Sequence, residues 1–176
     1  MRAITGFLVM ACIACGPPNW QCDSDSFCID GVPTHGIPAE MQTEVTRAAY
    51  TRLIQASLTY WGGTRAALDG YRIIFRQDAA NNFACNTAQT KGCMGLTDEN
   101  TRTITIELFS DITSCPEFAM LPHEIGHVVL YDINHTDPRW DTFQTITAAL
   151  IAPETPGCEA LAPQIGYLNN AVHPAH

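Results

Sequence analysis

The chain is expected to fold as a small α+β domain, with a mostly antiparallel or mixed sheet packed on a long N-terminal helix and on a second helix. Three stretches carry this expectation. Residues 38–61 repeat apolar residues every three or four positions, residues 101–108 alternate apolar and polar, and a capping signature opens a second helical run after residue 114.

The chain has 176 residues, of which 46% are hydrophobic and 15% charged, and this composition suits one folded domain with a real core. The formal net charge of −9 argues against nucleic acid and against anionic membrane surfaces as electrostatic partners, because both require a basic face. A monomer is expected, with any membrane contact made only through a lipid anchor.

The first residues read as a targeting segment. Met1-Arg2 supplies one positive charge, and Ala3 to Ala14 is apolar, uncharged and too short to span a bilayer. The segment resembles a bacterial lipoprotein signal, in which cleavage precedes a cysteine that then takes the lipid. Cys12 and Cys15 compete for that role. Cleavage before Cys15 leaves Cys22, Cys28, Cys85, Cys93, Cys115 and Cys158, an even set for three disulfides in an oxidising space. Cys15 is therefore the expected lipidation site, over an expected signal of residues 1–14. The expected location is outside the cytoplasm, anchored at the cell envelope, with the outer membrane favoured, or secreted.

Residues 15–37, with Pro17-Pro18, Gly31, Pro33 and Gly36, read as a tether and a loop-rich lead segment. Residues 38–176 are then the single domain. Pro38 suits a first helical turn, and Val45, Ala49, Leu53, Ala56 and Tyr60 form one apolar face that ends at Gly62-Gly63. Tyr71 to Gln77 reads as a strand and Asp78 to Gly92 as a polar loop. Cys93 to Thr97 reads as a short strand that turns at Asp98-Glu99-Asn100. In Thr101 to Leu108, Ile104, Ile106 and Leu108 alternate with Thr103, Thr105 and Glu107, which predicts one buried and one polar face. Ser114-x-x-Glu117 is a capping box, and Pro122 is expected to kink or restart the helix it opens. Asp137-Pro138 opens a third helix with Trp140, Phe143, Thr147 and Leu150 on one side. Pairings of Cys85 with Cys93 and of Cys115 with Cys158 are expected, and Cys22 with Cys28 can close a local loop.

The chemistry concentrates at His123-Glu124-Ile125-Gly126-His127. Histidines four apart share one helix face, so both imidazoles can reach one metal, and Zn2+ suits such donors. Glu124 stands at the edge of that face, where it can take a proton from water and later deliver it to a leaving amine. Gly126 and Val128-Val129-Leu130 suit a helix packed tightly on a core. A catalytic zinc requires a third protein ligand. His135, beyond a break at Ile133-Asn134, is favoured, and Asp137, Asp141, Glu154 and Glu159 remain open.

This stretch resembles the zincin metallopeptidases, whose shared pattern is His-Glu-x-x-His. The resemblance covers the order of strand 101–108 followed by helix 123–131. It implies zinc-dependent hydrolysis of peptide bonds, with His123 and His127 as ligands and Glu124 as general base. It also implies that an extended peptide or protein substrate pairs with the strand near 101–108. The chain departs from the metzincin branch, because Leu130 stands where that branch has Gly and no Met follows Met120. It also lacks the companion motif of the gluzincin branch.

Other positions carry weaker expectations. His35, His173 and His176 read as surface residues, and Tyr131 and Trp140 as core packing. The rival reading from another class is a non-catalytic surface lipoprotein, a binding or scaffold module whose zinc is structural.

Overall fold

The computed structural model describes residues 18–24, 26–77, 83–84, 92–107 and 116–143. The fold is α+β, as expected, with a five-stranded mixed sheet covered on one face by two helices. Strands β1 (Phe27–Ile29), β2 (Val32–His35) and β3 (Arg72–Arg76) lie on one side of the sheet. Beyond β3, a two-stranded ribbon forms from β4 (Phe83–Ala84) and β5 (Gly92–Cys93). Strands β6 (Gly95–Asp98) and β7 (Thr103–Glu107) complete the main sheet in the order β1-β2-β3-β7-β6. The β2–β3 and β3–β7 pairs are parallel, and β1–β2 and β6–β7 are antiparallel.

The lead segment differs from expectation. Residues 27–35, expected as loop, form a hairpin that joins the sheet through Thr34 and His35 opposite Ile73 and Ile74. The cause is local. Asp30 (φ +50°) and Gly31 (φ +74°) make the two-residue turn that matches strand twist, and Asp-Gly is a favoured pair there. A disulfide joins Cys22 to Cys28. Cys93 is also disulfide-bonded, while Cys85, Cys115, Cys158 and the leader with Cys12 and Cys15 lie outside the described residues.

Helix α1 spans Glu44–Trp61, starting later than the predicted 38. Pro38 instead leads a single 3-10 turn, Ala39–Met41, and the Thr43 hydroxyl caps the helix by accepting from the Thr46 N–H at 3.2 Å. The buried face also differs from the predicted one. Tyr50, Leu53, Ile54, Ser57, Leu58 and Trp61 are buried, whereas Val45 is 80% exposed. Both sets have helical spacing. The one with the larger side chains removes more apolar area from water and so decides which face packs. Tyr50 meets Phe75 edge-on at 5.3 Å, which seats α1 on the face carrying Ile73, Phe75, Ile104 and Ile106.

Strand β7 is the second correction. It pairs with β3 on one side and β6 on the other, so it is interior and cannot receive a substrate strand. Its alternation holds for Ile104 and Ile106, but Thr103 and Glu107 are buried as well. An alternating pattern reports two faces and is silent about which edge of the strand is free.

Helix α2 runs uninterrupted over Pro116–Leu130, through Pro122. The restart expected there does not occur, and the Trp61 indole N–H donates to the Pro122 carbonyl at 2.8 Å, tying α1 to α2 at this turn. Met120, Leu121, Ile125 and Val128 bury their side chains against the core. Gly126 is where α2 meets two indoles. A Cβ at this position would lie 2.6 Å from the Trp140 ring and 2.7–2.8 Å from the Trp61 ring. Those rings pack against each other, tilted by 48° with centroids 4.3 Å apart. Gly126→Ala is therefore expected to overpack this contact and lower stability by about 1–3 kcal/mol. Urea unfolding of the metal-free protein measures this, and an unchanged midpoint would mean that the rings move aside freely.

Candidate metal centre

His123 and His127 are one helical turn apart on α2, both buried, and their Nε2 atoms lie 3.2 Å apart. His135 Nε2 lies 3.3 Å from His127 Nε2, and the ligand atoms of the three residues fall within 4.8 Å of one another. A four-coordinate ion with metal–nitrogen bonds of about 2.05 Å holds its nitrogens roughly 3.3 Å apart. The donor set fits. Three imidazole nitrogens that converge this closely have no comfortable metal-free use for all of their lone pairs, and together they can hold a metal ion.

The return of His135 depends on how α2 stops. Tyr131 turns left-handed (φ +52°) and its N–H still bonds the His127 carbonyl at 2.9 Å, after which the chain doubles back. The next residue, Asp132, organises the returning loop. Its carboxylate accepts the N–H of Asn134 at 3.2 Å, the N–H of Asp137 at 2.8 Å and the indole N–H of Trp140 at 3.1 Å. Burial works to raise the Asp132 carboxyl, but the bonds from Asp137, Thr136 and Trp140 outweigh it and hold it below the ordinary value. The backbone carbonyl of the same residue stands 2.8 Å from His127 Nδ1. That contact fixes the tautomer with a proton on Nδ1, which leaves the Nε2 lone pair for the cluster. His135 itself sits at φ +55°. The left-handed conformations at Tyr131 and His135 carry strain that the Asp132 bonds offset.

Trp140 floors the cluster. Its ring centroid lies 4.2 Å from that of His135 and 5.0 Å from those of His123 and His127. The expected core role of Trp140 thus holds, and the core in question is the underside of the metal centre. The alternative third ligands do not join. Asp137 is taken by Arg139, at 2.8 Å to Nε and 2.7 Å to the terminal nitrogen, which pushes its carboxyl down to about 2. Asp137 also caps the helical stretch over 139–143 through the Arg139 N–H. Asp141 is exposed and outside the cluster, and Glu154 and Glu159 lie outside the described residues. His35 is exposed at the end of β2, as expected. Tyr131, expected in the core, is 71% exposed because it forms the helix exit.

Comparisons of the chain with protein-family models, with curated proteins and with solved structures find no match. The chemistry of the site rests on its own geometry.

Glu124 is buried, and together with His127 it lines a cavity of about 70 Å3 bounded by Cys93, Gly95, Leu96, Thr97, Glu99 and Ile133. Burial pushes its carboxyl up to about 8, against hydrogen bonds from Thr97 that act to lower it. A cation on the neighbouring histidines acts in the lowering sense as well. Strand β6 therefore enters the site through Gly95 and Thr97. Sequence reasoning missed these two residues, and Asp132 with them. For Asp132 a signal existed: an Asp just past a helix, followed by Asn134 and Asp137, is a run that builds side-chain-to-backbone turns.

Asp132→Ala is expected to leave the protein folded and weaken metal affinity by about 10–100-fold, since it frees the loop that carries His135 and the contact that orients His127. His135→Ala should weaken it at least as much. Zinc competition against a chromogenic chelator reads both, and wild-type affinity in Asp132→Ala would refute the organising role.

Proposed function

We propose that the chain is a zinc-dependent peptidase of zincin type, exported to an oxidising compartment and acting as a monomer on peptide or protein substrates. The observation that carries this is a three-histidine cluster of which His123 and His127 share α2 with the buried Glu124, while Glu124 and His127 line one cavity. Three converging imidazole nitrogens, two of whose separations match tetrahedral spacing, favour zinc over the oxygen-seeking cations, and a three-ligand site retains a position for a reacting group. Zinc, when bound, supplies Lewis-acid polarisation of oxygen.

The protein's own residues supply the rest. Glu124 takes the proton of the attacking water and hands it to the departing amine, a task helped by a carboxyl whose burial raises its basicity. Asp132 and Trp140 hold the ligand rings in register. Strand β6, at the end of the sheet and beside the cavity, replaces β7 as the strand on which an extended peptide can align. Leu96, Ile133 and the Cys93 disulfide make much of the cavity wall apolar, which favours a small or medium apolar side chain next to the cleaved bond.

Glu124→Gln decides the reading. The variant is expected to keep one zinc per chain and lose peptide cleavage by about 100-fold or more. Cleavage is followed by mass spectrometry of a mixed peptide pool, with cut sites beside apolar residues. Full activity in Glu124→Gln would sink the assignment. Zinc binding without cleavage in the wild type would favour the scaffold reading, in which the metal is structural.

A further inference from the structure

We infer that Thr97 is the positioning residue of Glu124, and that position 95 is glycine so that the same carboxylate fits. The inference rests on the proposal that Glu124 is the working base. Thr97 and Gly95 lie two apart on β6, opposite Ile104 and Ile106 of β7, and so project from the sheet face that α2 covers. The Thr97 hydroxyl stands 2.8 Å from Glu124 Oε2 and 3.1 Å from the Glu124 backbone carbonyl. A hydroxyl has one proton to give, and the shorter contact, to a carboxylate, is the stronger bond. Gly95 closes the other side. A Cβ there would lie 2.4 Å from Oε1 and 3.0 Å from Cδ of Glu124, space that the carboxylate group itself occupies.

The two contacts divide the labour of the carboxylate. Oε2 is held by the Thr97 hydroxyl, and Oε1 lies over the bare backbone of Gly95. A Glu side chain has three rotatable bonds, so an unheld base samples rotamers in which neither oxygen is in place. Strand β6 therefore sets the direction of the base from the same side on which it borders the cavity. The competing role is mechanical: the contact with the Glu124 carbonyl could simply pin α2 to β6. The two roles separate in what moves when the hydroxyl is lost. Thr97→Val turns the Glu124 carboxylate if Thr97 positions it, and shifts the α2 backbone against β6 with the rotamer kept if Thr97 only pins the helix. Thr97→Ser keeps the hydroxyl and moves neither.

The test compares wild type, Thr97→Ser, Thr97→Val and Gly95→Ala as full-length zinc-loaded proteins. Thr97→Val is expected to bind one zinc per chain with KM within about twofold of wild type and kcat lower by about tenfold or more, as a displaced reacting group would give. Thr97→Ser should restore kcat to within about threefold. Crystal structures give a readout independent of turnover: one Glu124 rotamer in wild type and Thr97→Ser, a second rotamer in Thr97→Val, and a displaced carboxylate in Gly95→Ala. An unmoved Glu124 in Thr97→Val, or equal impairment in Thr97→Ser and Thr97→Val, would overturn the inference. If no protein in the set cleaves peptides, the peptidase reading fails, and the rotamers still decide whether Thr97 positions Glu124. Should Thr97→Val fail to fold, the Glu124 position in Gly95→Ala and the kcat of Thr97→Ser decide in its place.

Discussion

At Gly126 the backbone of α2 comes so close to the indoles of Trp61 and Trp140 that no side chain fits between them. Much of the molecule depends on that contact. Trp61 ends α1 and bonds the carbonyl of Pro122, so the first helix is tied to the second just where proline has removed a backbone donor. Trp140 comes from beyond the metal loop and slides its ring beneath all three histidines. The helix, the core and the loop are thus registered against one another at a single residue one position before His127. A methyl group there would be felt in the packing of α1 and in the floor of the site together.

The centre illustrates how a short sequence motif becomes a site only with partners drawn from elsewhere. The helix supplies two imidazoles and a carboxylate at fixed angular spacing. The Asp132 loop supplies the third imidazole and locks the tautomer of the second, and β6 supplies the groups around the carboxylate. These partners come from three elements, and the contacts of Asp132, His135 and Thr97 tie the loop and the strand to α2.

Legibility in the sequence tracked the range of the interactions. His123, Glu124 and His127 were readable because four-residue spacing on a helix is a local rule, and His135 because few other donors stand within a short loop of them. The α+β class was readable from the periodicities of α1 and β7. What failed were choices between locally equivalent options. Val45, Ala49 and Ala56 have the same spacing as Tyr50, Ile54 and Trp61, and only burial against Phe75 and Trp140 decides which face turns inward. The alternation of 101–108 describes an interior strand and an edge strand equally well. The β1–β2 hairpin was announced by Asp30-Gly31 but obscured by Pro33, which sits just before pairing with β3 begins at Thr34. Thr97 and Gly95 carried no signal, because their importance exists only where β6 crosses Glu124.

The loop that Asp132 gathers has a consequence for which ions the protein will accept. Its bonds to Asn134, Asp137 and Trp140 are made within the protein itself, and two of the three nitrogen separations, 3.2 and 3.3 Å, match those around a four-coordinate ion. A host prepared in this way discriminates by mismatch. Calcium and magnesium look for six or more oxygens, and magnesium demands an octahedron that three converging imidazoles cannot supply. Abundance alone would then not let those ions displace a scarcer guest.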